Sequence, residues 1–191
     1  MPTREDYFKK KTPFYKERDD KKREEFQKRL EKIDEEKRVY IDESGINEYL
    51  QRQKARAERG EKVYGSVSGS RYMRESFIAA QNQSNILAPF CYTGTCNTDL
   101  FNAWLEQMLI PELKPGQVVI LDNASFHRSK TSVEMIQRAG CEVLFLPPYS
   151  PDLNPIEKFW ANFKRKVQET LTVCSSLTEA IDQCFVTACG L

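Results

Sequence analysis

Residues 144–167, LFLPPYSPDLNPIEKFWANFKRKV, decide how the rest of the chain is read. The stretch opens as a short apolar strand, crosses a proline-punctuated loop and enters a helix near Pro155. Ile156, Phe159, Trp160, Phe163 and Val167 recur at helical spacing and form an apolar face. Phe159 and Trp160 are therefore expected in the core rather than stacked on bases. Glu157 falls in the first turn, where two readings stand side by side. With Asn154 as N-cap and Pro155 at the first helical position, it could close a capping box. It could equally be a ligand that the helix presents. Lys158, Lys164, Arg165 and Lys166 follow on the exposed side, either as a solvated face or as a track for phosphates.

Working outward, Val118–Leu121 is an uninterrupted apolar run ending in Asp122, the pattern of a central strand covered on both faces. Residues 38–42, RVYID, form another expected strand, with Val39 and Ile41 facing one way and Tyr40 and Asp42 the other. Ser44–Gly45 is expected to end it. Glu43 points to the face opposite Asp42 and is set aside. Residues 74–81 and 86–92 read as a hairpin about Asn82–Asn85. A helix capped by Asn97 or Thr98 should then run to Pro111, and another from Ser129 to Ala139 with Gly140 as its C-terminal cap. A last short helix is expected around residues 177–186. Hairpin strands followed by strand–helix alternation indicate an α/β domain with helices packed on a mixed sheet.

The chain has 191 residues, 40% hydrophobic and 30% charged, enough for one core-bearing domain plus a polar extension. No run approaches the roughly 18 apolar residues of a membrane span, and residues 1–11 lack the apolar core of a secretory signal. Six scattered cysteines without a CxxC pair are expected as reduced thiols. With His127 as the one histidine, a zinc site is disfavoured. The net charge of +1 leaves any nucleic-acid partner to local patches. Residues 1–37 read as a charged lead-in with a narrow apolar stripe at Phe26, Leu30 and Ile33, a helix docked by that stripe rather than a basic arm. Residues 46–70 are the least readable segment.

Asp42 and Asp122 each close an apolar strand, and in open α/β sheets sites gather where strands end. Two such aspartates side by side repel unless a cation joins them. Mg²⁺ prefers oxygen ligands, and a third carboxylate from a passing helix would allow two ions, the arrangement that activates and stabilises oxygens in phosphoryl transfer. Each residue has a plainer role available: Asp42 ending a strand, Asp122–Asn123 forming a turn, Glu157 capping. His127, in the loop leaving the Asp122 strand, could serve the site or simply bond loop backbone. Asn123 and Asn154 are candidates for hydrogen bonds that hold Asp122 and the start of the last helix.

The blocks VYIDESG (Asp42), VVILDNASFHRS (Asp122) and LPPYSPDLNPIEKFWANFKRK (Glu157) together resemble the three motifs of the DDE transposases, in the bacterial insertion-sequence branch related to mariner elements. The 34 residues between Asp122 and Glu157 resemble that superfamily's short second interval. The resemblance covers roughly residues 12–170. It implies an RNase H-like mixed sheet flanked by helices, with Asp42, Asp122 and Glu157 as catalytic residues and ligands of Mg²⁺ or Mn²⁺, two ions in all. It further implies DNA partners (transposon ends and target), a homo-oligomer or an intact transposase as protein partner, no membrane, and a bacterial cytoplasmic, nucleoid-associated setting. Residues 38–170 would be the catalytic domain, residues 1–37 a linker following an absent helix-turn-helix, and residues 171–191 a helical tail. Two other readings stay open: a catalytically silent remnant that binds DNA or an intact transposase, and a different RNase H-like nuclease.

Overall fold

A computed structural model describes residues 18–47 and 74–189. The lysine run Lys9–Lys11 and most of the segment 46–70 lie outside the described residues. Five strands form one sheet: β1 (Arg38–Asn47), β2 (Arg74–Asn82), β3 (Asn85–Thr93), β4 (Val118–Leu121) and β5 (Glu142–Phe145). Their spatial order is β3-β2-β1-β4-β5. β1–β2 and β2–β3 pair antiparallel, β1–β4 and β4–β5 parallel. This is the mixed sheet flanked by helices that the strand–helix order implied.

Each strand alternates between two covered faces. On one face Val39, Ile41, Ile78, Ala80, Val119 and Leu121 meet α2 (Thr98–Trp104) and α3 (Lys130–Arg138) through Phe101, Trp104 and Ile136. α2 is capped by Asn97, whose side chain accepts from the Leu100 N–H at 2.9 Å. Pro111 does not end this helix sharply. A wider turn over Leu105–Leu109 and a tighter one over Ile110–Glu112 let it unwind first, and Leu113 is the first extended residue. α3 ends at the expected Gly140, at φ 78°, and starts one residue later than expected, with Ser129 as its N-cap accepting from the Ser132 N–H. A Cβ on Gly140 would lie 3.1 Å from the Pro115 side chain.

The other face is divided. Tyr40, Val118, Ile120, Leu144 and Leu146 receive Phe26 of α1 (Asp20–Leu30), flanked by Leu30 and Ile33. Ile46, Phe77 and Ala79 receive α4 (Ile156–Thr170) and α5 (Leu177–Cys189) through Trp160, Phe163, Val167, Ile181 and Phe185. α1 is also tied down at both ends. Arg23 forms a two-pronged ion pair with Asp152 (Nη1 to Oδ1, 2.9 Å), and Arg38 donates to the Leu30 and Ile33 carbonyls at 3.0 and 2.9 Å. Between the two apolar clusters the sheet carries polar residues, and the candidate site lies there.

Two strand features depart from the sequence reading. Ser44–Gly45 does not end β1, which pairs with β2 as far as Asn47↔Arg74. The antiparallel partner supplies hydrogen bonds that outweigh a weak local turn preference, and Gly45 lets Arg74 cross closely, with its Nε 2.7 Å from where a Cβ would stand. In β3, Ala88 and Pro89 bulge opposite Ala79, with Ala88 at φ 48°. The freed groups of Ala88 are recaptured: its N–H donates to Glu112 Oε1 at 3.0 Å, and its carbonyl accepts from Trp104 Nε1 at 2.8 Å.

Phe77 anchors the second cluster, fully buried with ring centroids 4.9, 5.3 and 6.1 Å from Trp160, Phe163 and Phe185. Phe77→Ala is expected to cost about 3–5 kcal/mol of stability in urea unfolding, as large-to-small core substitutions do.

Candidate metal centre

The last parallel pair between β1 and β4 is Tyr40↔Ile120. Beyond it the two strands part, β1 staying with β2 while β4 ends at Leu121. Asp42 and Asp122 each lie two residues past that pair, so both project to the face of Tyr40 and Ile120. Asp42 is therefore not at a strand end, as the sequence suggested, but at the fork where β1 leaves its parallel neighbour. Its antiparallel partner is Ala79, whose small side chain leaves the space above Asp42 open. Glu157 enters the same space from the first turn of α4. All three carboxylates line one cleft of about 330 Å³, together with Asn123, Asn154 and the loop residues Leu146–Pro151.

The wall opposite the sheet is the proline loop. Tyr149 is held at φ 52° with half its surface exposed, an unusual backbone for a bulky residue and a kind concentrated at functional sites. Ser150 is buried and donates to the Pro148 carbonyl at 3.0 Å. The expected capping box is absent. Pro151–Leu153 forms a tight turn and Pro155 takes the cap position, with no side chain bonded to the first helical amides. Asn154 contributes only its backbone carbonyl, which accepts from the Glu157 N–H at 3.3 Å. Its buried Oδ1 has no hydrogen-bond partner. Asn123 donates from Nδ2 to the Leu146 carbonyl, joining the ends of β4 and β5 behind Asp122.

His127 is completely buried between the rings of Phe101 and Phe126, each with its centroid 4.5 Å away. Its Nδ1 lies 2.6 Å from Asp122 Oδ1, and its Nε2 lies 2.8 Å from Glu43 Oε1. Both ring nitrogens thus face carboxyl oxygens, an arrangement that a doubly protonated ring satisfies by donating at both ends. Burial alone would lower its pKa, but the hydrogen bonds and charges of Asp122 and Glu43 prevail and push it up to about 9. Asp122 is likewise held below the usual carboxylate range: burial opposes this, and His127 together with the Ala124 N–H at 2.8 Å outweighs burial. Glu43, set aside in the sequence reading, is thus bound to the site through His127. It faces the opposite side of β1 as expected, and only the fold brings His127 across to it.

Asp42 has no such support. Burial, then the charges of Glu157, Glu43 and Asp122, raise its pKa to about 8. Three carboxylates with one cation already committed elsewhere are short of positive charge. Among the described residues, no three His, Cys, Asp or Glu side chains are arranged to hold an ion as they stand. An all-oxygen donor set that includes a half-buried aspartate pressed by neighbouring negative charges suits Mg²⁺ or Mn²⁺ in kind. Of the other residues marked in the sequence, Lys158, Arg165 and Lys166 are exposed on α4 and Lys164 is half-buried. Lys158, Lys164 and Lys166 pair with no carboxylate among the described residues, and Arg165 donates to Asn162 Oδ1 at 3.0 Å. Trp160 is buried and Phe159 partly buried in the core, as expected. All six cysteines are unpaired, and no described helix is long and apolar enough to cross a membrane.

Asp42 gives the metal-free protein a pH dependence whose sign follows from its raised pKa. The unfolded chain ionises Asp42 near its ordinary value of 3.8 and the folded one only near 8, so stability is lost as pH rises between them. Asp42→Asn should raise the Tm of metal-free protein at pH 7 by roughly 2–4 °C, about 1 kcal/mol for a domain of this size, and have little effect near pH 4. Thermal unfolding in EDTA at the two pH values checks this.

Comparison with known proteins agrees with this geometry. The family model described as DDE superfamily endonuclease matches residues 37–177. No curated protein matches the chain significantly in sequence. Among solved structures, the Mos1 strand transfer complex aligns with a TM-score of 0.64 at 15% identity, covering 96% of this chain and 64% of that one. The Mos1 mariner paired-end complex with Mn aligns at 0.62 and 19% identity, covering 84% and 54%, and a paired-end complex with Mg is similar. The catalytic core of BIV integrase aligns at 0.51 and 11% identity, covering 80% and 82%. The chain thus spans between about half and two thirds of the Mos1 chains in these two complexes. A sheet in the order β3-β2-β1-β4-β5, three carboxylates in one cleft at its fork and a family match over most of the length agree: the chain belongs to the DDE superfamily endonucleases.

Proposed function

We propose that this chain carries out metal-dependent phosphoryl transfer on DNA as the catalytic part of a transposase. The reaction would cleave a phosphodiester at an element's end and then join the freed 3′-hydroxyl to target DNA. The observation that carries this is the convergence of Asp42, Asp122 and Glu157 on one cleft in a chain of this superfamily. Those three residues would hold Mg²⁺ or Mn²⁺, two ions in all. When bound, such ions lower the pKa of the attacking oxygen's proton and stabilise the departing oxygen.

The protein's own share is positioning. Asp42 and Glu157 face each other across the cleft from sheet and helix, while His127 and the Ala124 N–H fix the rotamer of Asp122. The carboxylates repel a polyanion, so cations must flank them. Lys164 lies two turns along α4 from Glu157 and on the same side of the helix, about 10 Å away along the axis. With Lys158, Arg165 and Lys166 it would track the phosphates next to the scissile one. The partners on this reading are the element's ends, target DNA and further copies of the chain. That such assemblies carry Mn or Mg in the related Mos1 structures supports the choice of metal.

Incubating the protein with supercoiled plasmid and Mn²⁺ or Mg²⁺ tests the reading. Nicking should require the metal and fall by roughly 10²–10³-fold in Asp122→Ala, the size of loss seen when one electrostatic stabiliser is removed. Metal-independent nicking, or nicking unchanged by the substitution, would reject it.

A further inference from the structure

We infer that Glu43 is a positioning residue of the metal centre: acting through His127 from the opposite face of the sheet, it sets the separation of Asp42 and Asp122. The inference rests on the metal-binding reading above and names what holds that site open. Backbone pairing cannot do so. β1 and β4 share no ladder beyond Tyr40↔Ile120, and the two aspartates stand past that point. Past it the loop that carries Asp122 is held to β5 and to the neighbouring core, through Asn123 on the Leu146 carbonyl and Phe126 against Phe101, rather than to the β1 ladder.

One side-chain link spans the gap. Asp122 Oδ1 receives His127 Nδ1 at 2.6 Å, and His127 Nε2 reaches Glu43 Oε1 at 2.8 Å. Glu43 is the residue next to Asp42 on β1, so the link runs from one candidate ligand's strand to the other ligand itself. The ring between them has no room to swing, being fully buried against Phe101 and Phe126. Glu43 is mostly shielded as well, its side chain 16% exposed. Strand alternation is what makes the arrangement possible. Asp42 projects into the cleft, Glu43 projects away from it, and so β1 supplies a ligand on one face and a strut on the other. Removing the strut leaves all three carboxylates in place but frees Asp122 and its loop to shift relative to Asp42.

The test uses Mn²⁺ as the probe and binding as the readout, by calorimetry and by metal-induced rise in Tm. Glu43→Gln keeps the side chain's size and an acceptor oxygen. It should weaken Mn²⁺ binding roughly 10-fold, the lower end of what loss of an outer hydrogen-bonding partner costs a metal site. Its metal-free Tm should stay within a few degrees of wild type. In a His127→Gln background the same substitution should change Mn²⁺ affinity by less than about twofold, since its effect passes through the imidazole. Equal affinity in Glu43→Gln and wild type would overturn the inference, as would an undiminished effect in the His127→Gln background. Failure of the wild-type protein itself to bind Mn²⁺ would instead reject the metal-binding reading.

Discussion

The fork between β1 and β4 is the constraint on which the candidate site depends. Up to Tyr40↔Ile120 the two strands share hydrogen bonds, and beyond it each follows a different neighbour. Opening a sheet in its middle removes ladder bonds and exposes polar backbone, which a purely structural domain has reason to avoid. Here the opening is stabilised on both sides. α1 covers one half of the sheet face through Phe26, and α4 and α5 cover the other through the Phe77–Trp160–Phe163–Phe185 cluster. The polar strip between them is narrow, and three carboxylates occupy it.

Charge then decides what the strip can do. Asp122 is satisfied by His127 and the Ala124 N–H, while Asp42 meets burial and three neighbouring negative charges. The contrast divides the aspartates by role before any ligand is present, one locked in orientation and one in need of a cation. The lysines of α4 lie beyond the cleft rather than within it, and so cannot supply that cation.

Much of this was legible in the sequence, for identifiable reasons. The unbroken run Val118–Leu121 could only be a central strand, which put Asp122 at a sheet's open end. The 156–167 spacing oriented α4 with Trp160 inward and Glu157 outward. Strand alternation correctly separated Asp42 from Glu43. The failures share a cause, long-range pairing that local preference does not encode. Ser44–Gly45 looked like a strand stop until β2 was placed beside it. Asn154 looked like a cap, but the turn at Pro151–Leu153 delivers Pro155 to that position and leaves the Asn154 side chain buried toward the cleft. Glu43 is set aside in the sequence because it faces away from Asp42, and its contact with His127, 84 residues further on, is one that local pattern does not show. The pair of opposite face and neighbouring ligand was the one signal that could have kept it in view.

Crystals soaked in Mn²⁺ and measured at the manganese absorption edge test the central claim most directly. An anomalous peak coordinated by Asp42 and Asp122, with Glu157 turned toward it, is the predicted result. No peak in the cleft, or a peak held by other side chains while Asp42 and Asp122 remain apart, would contradict it.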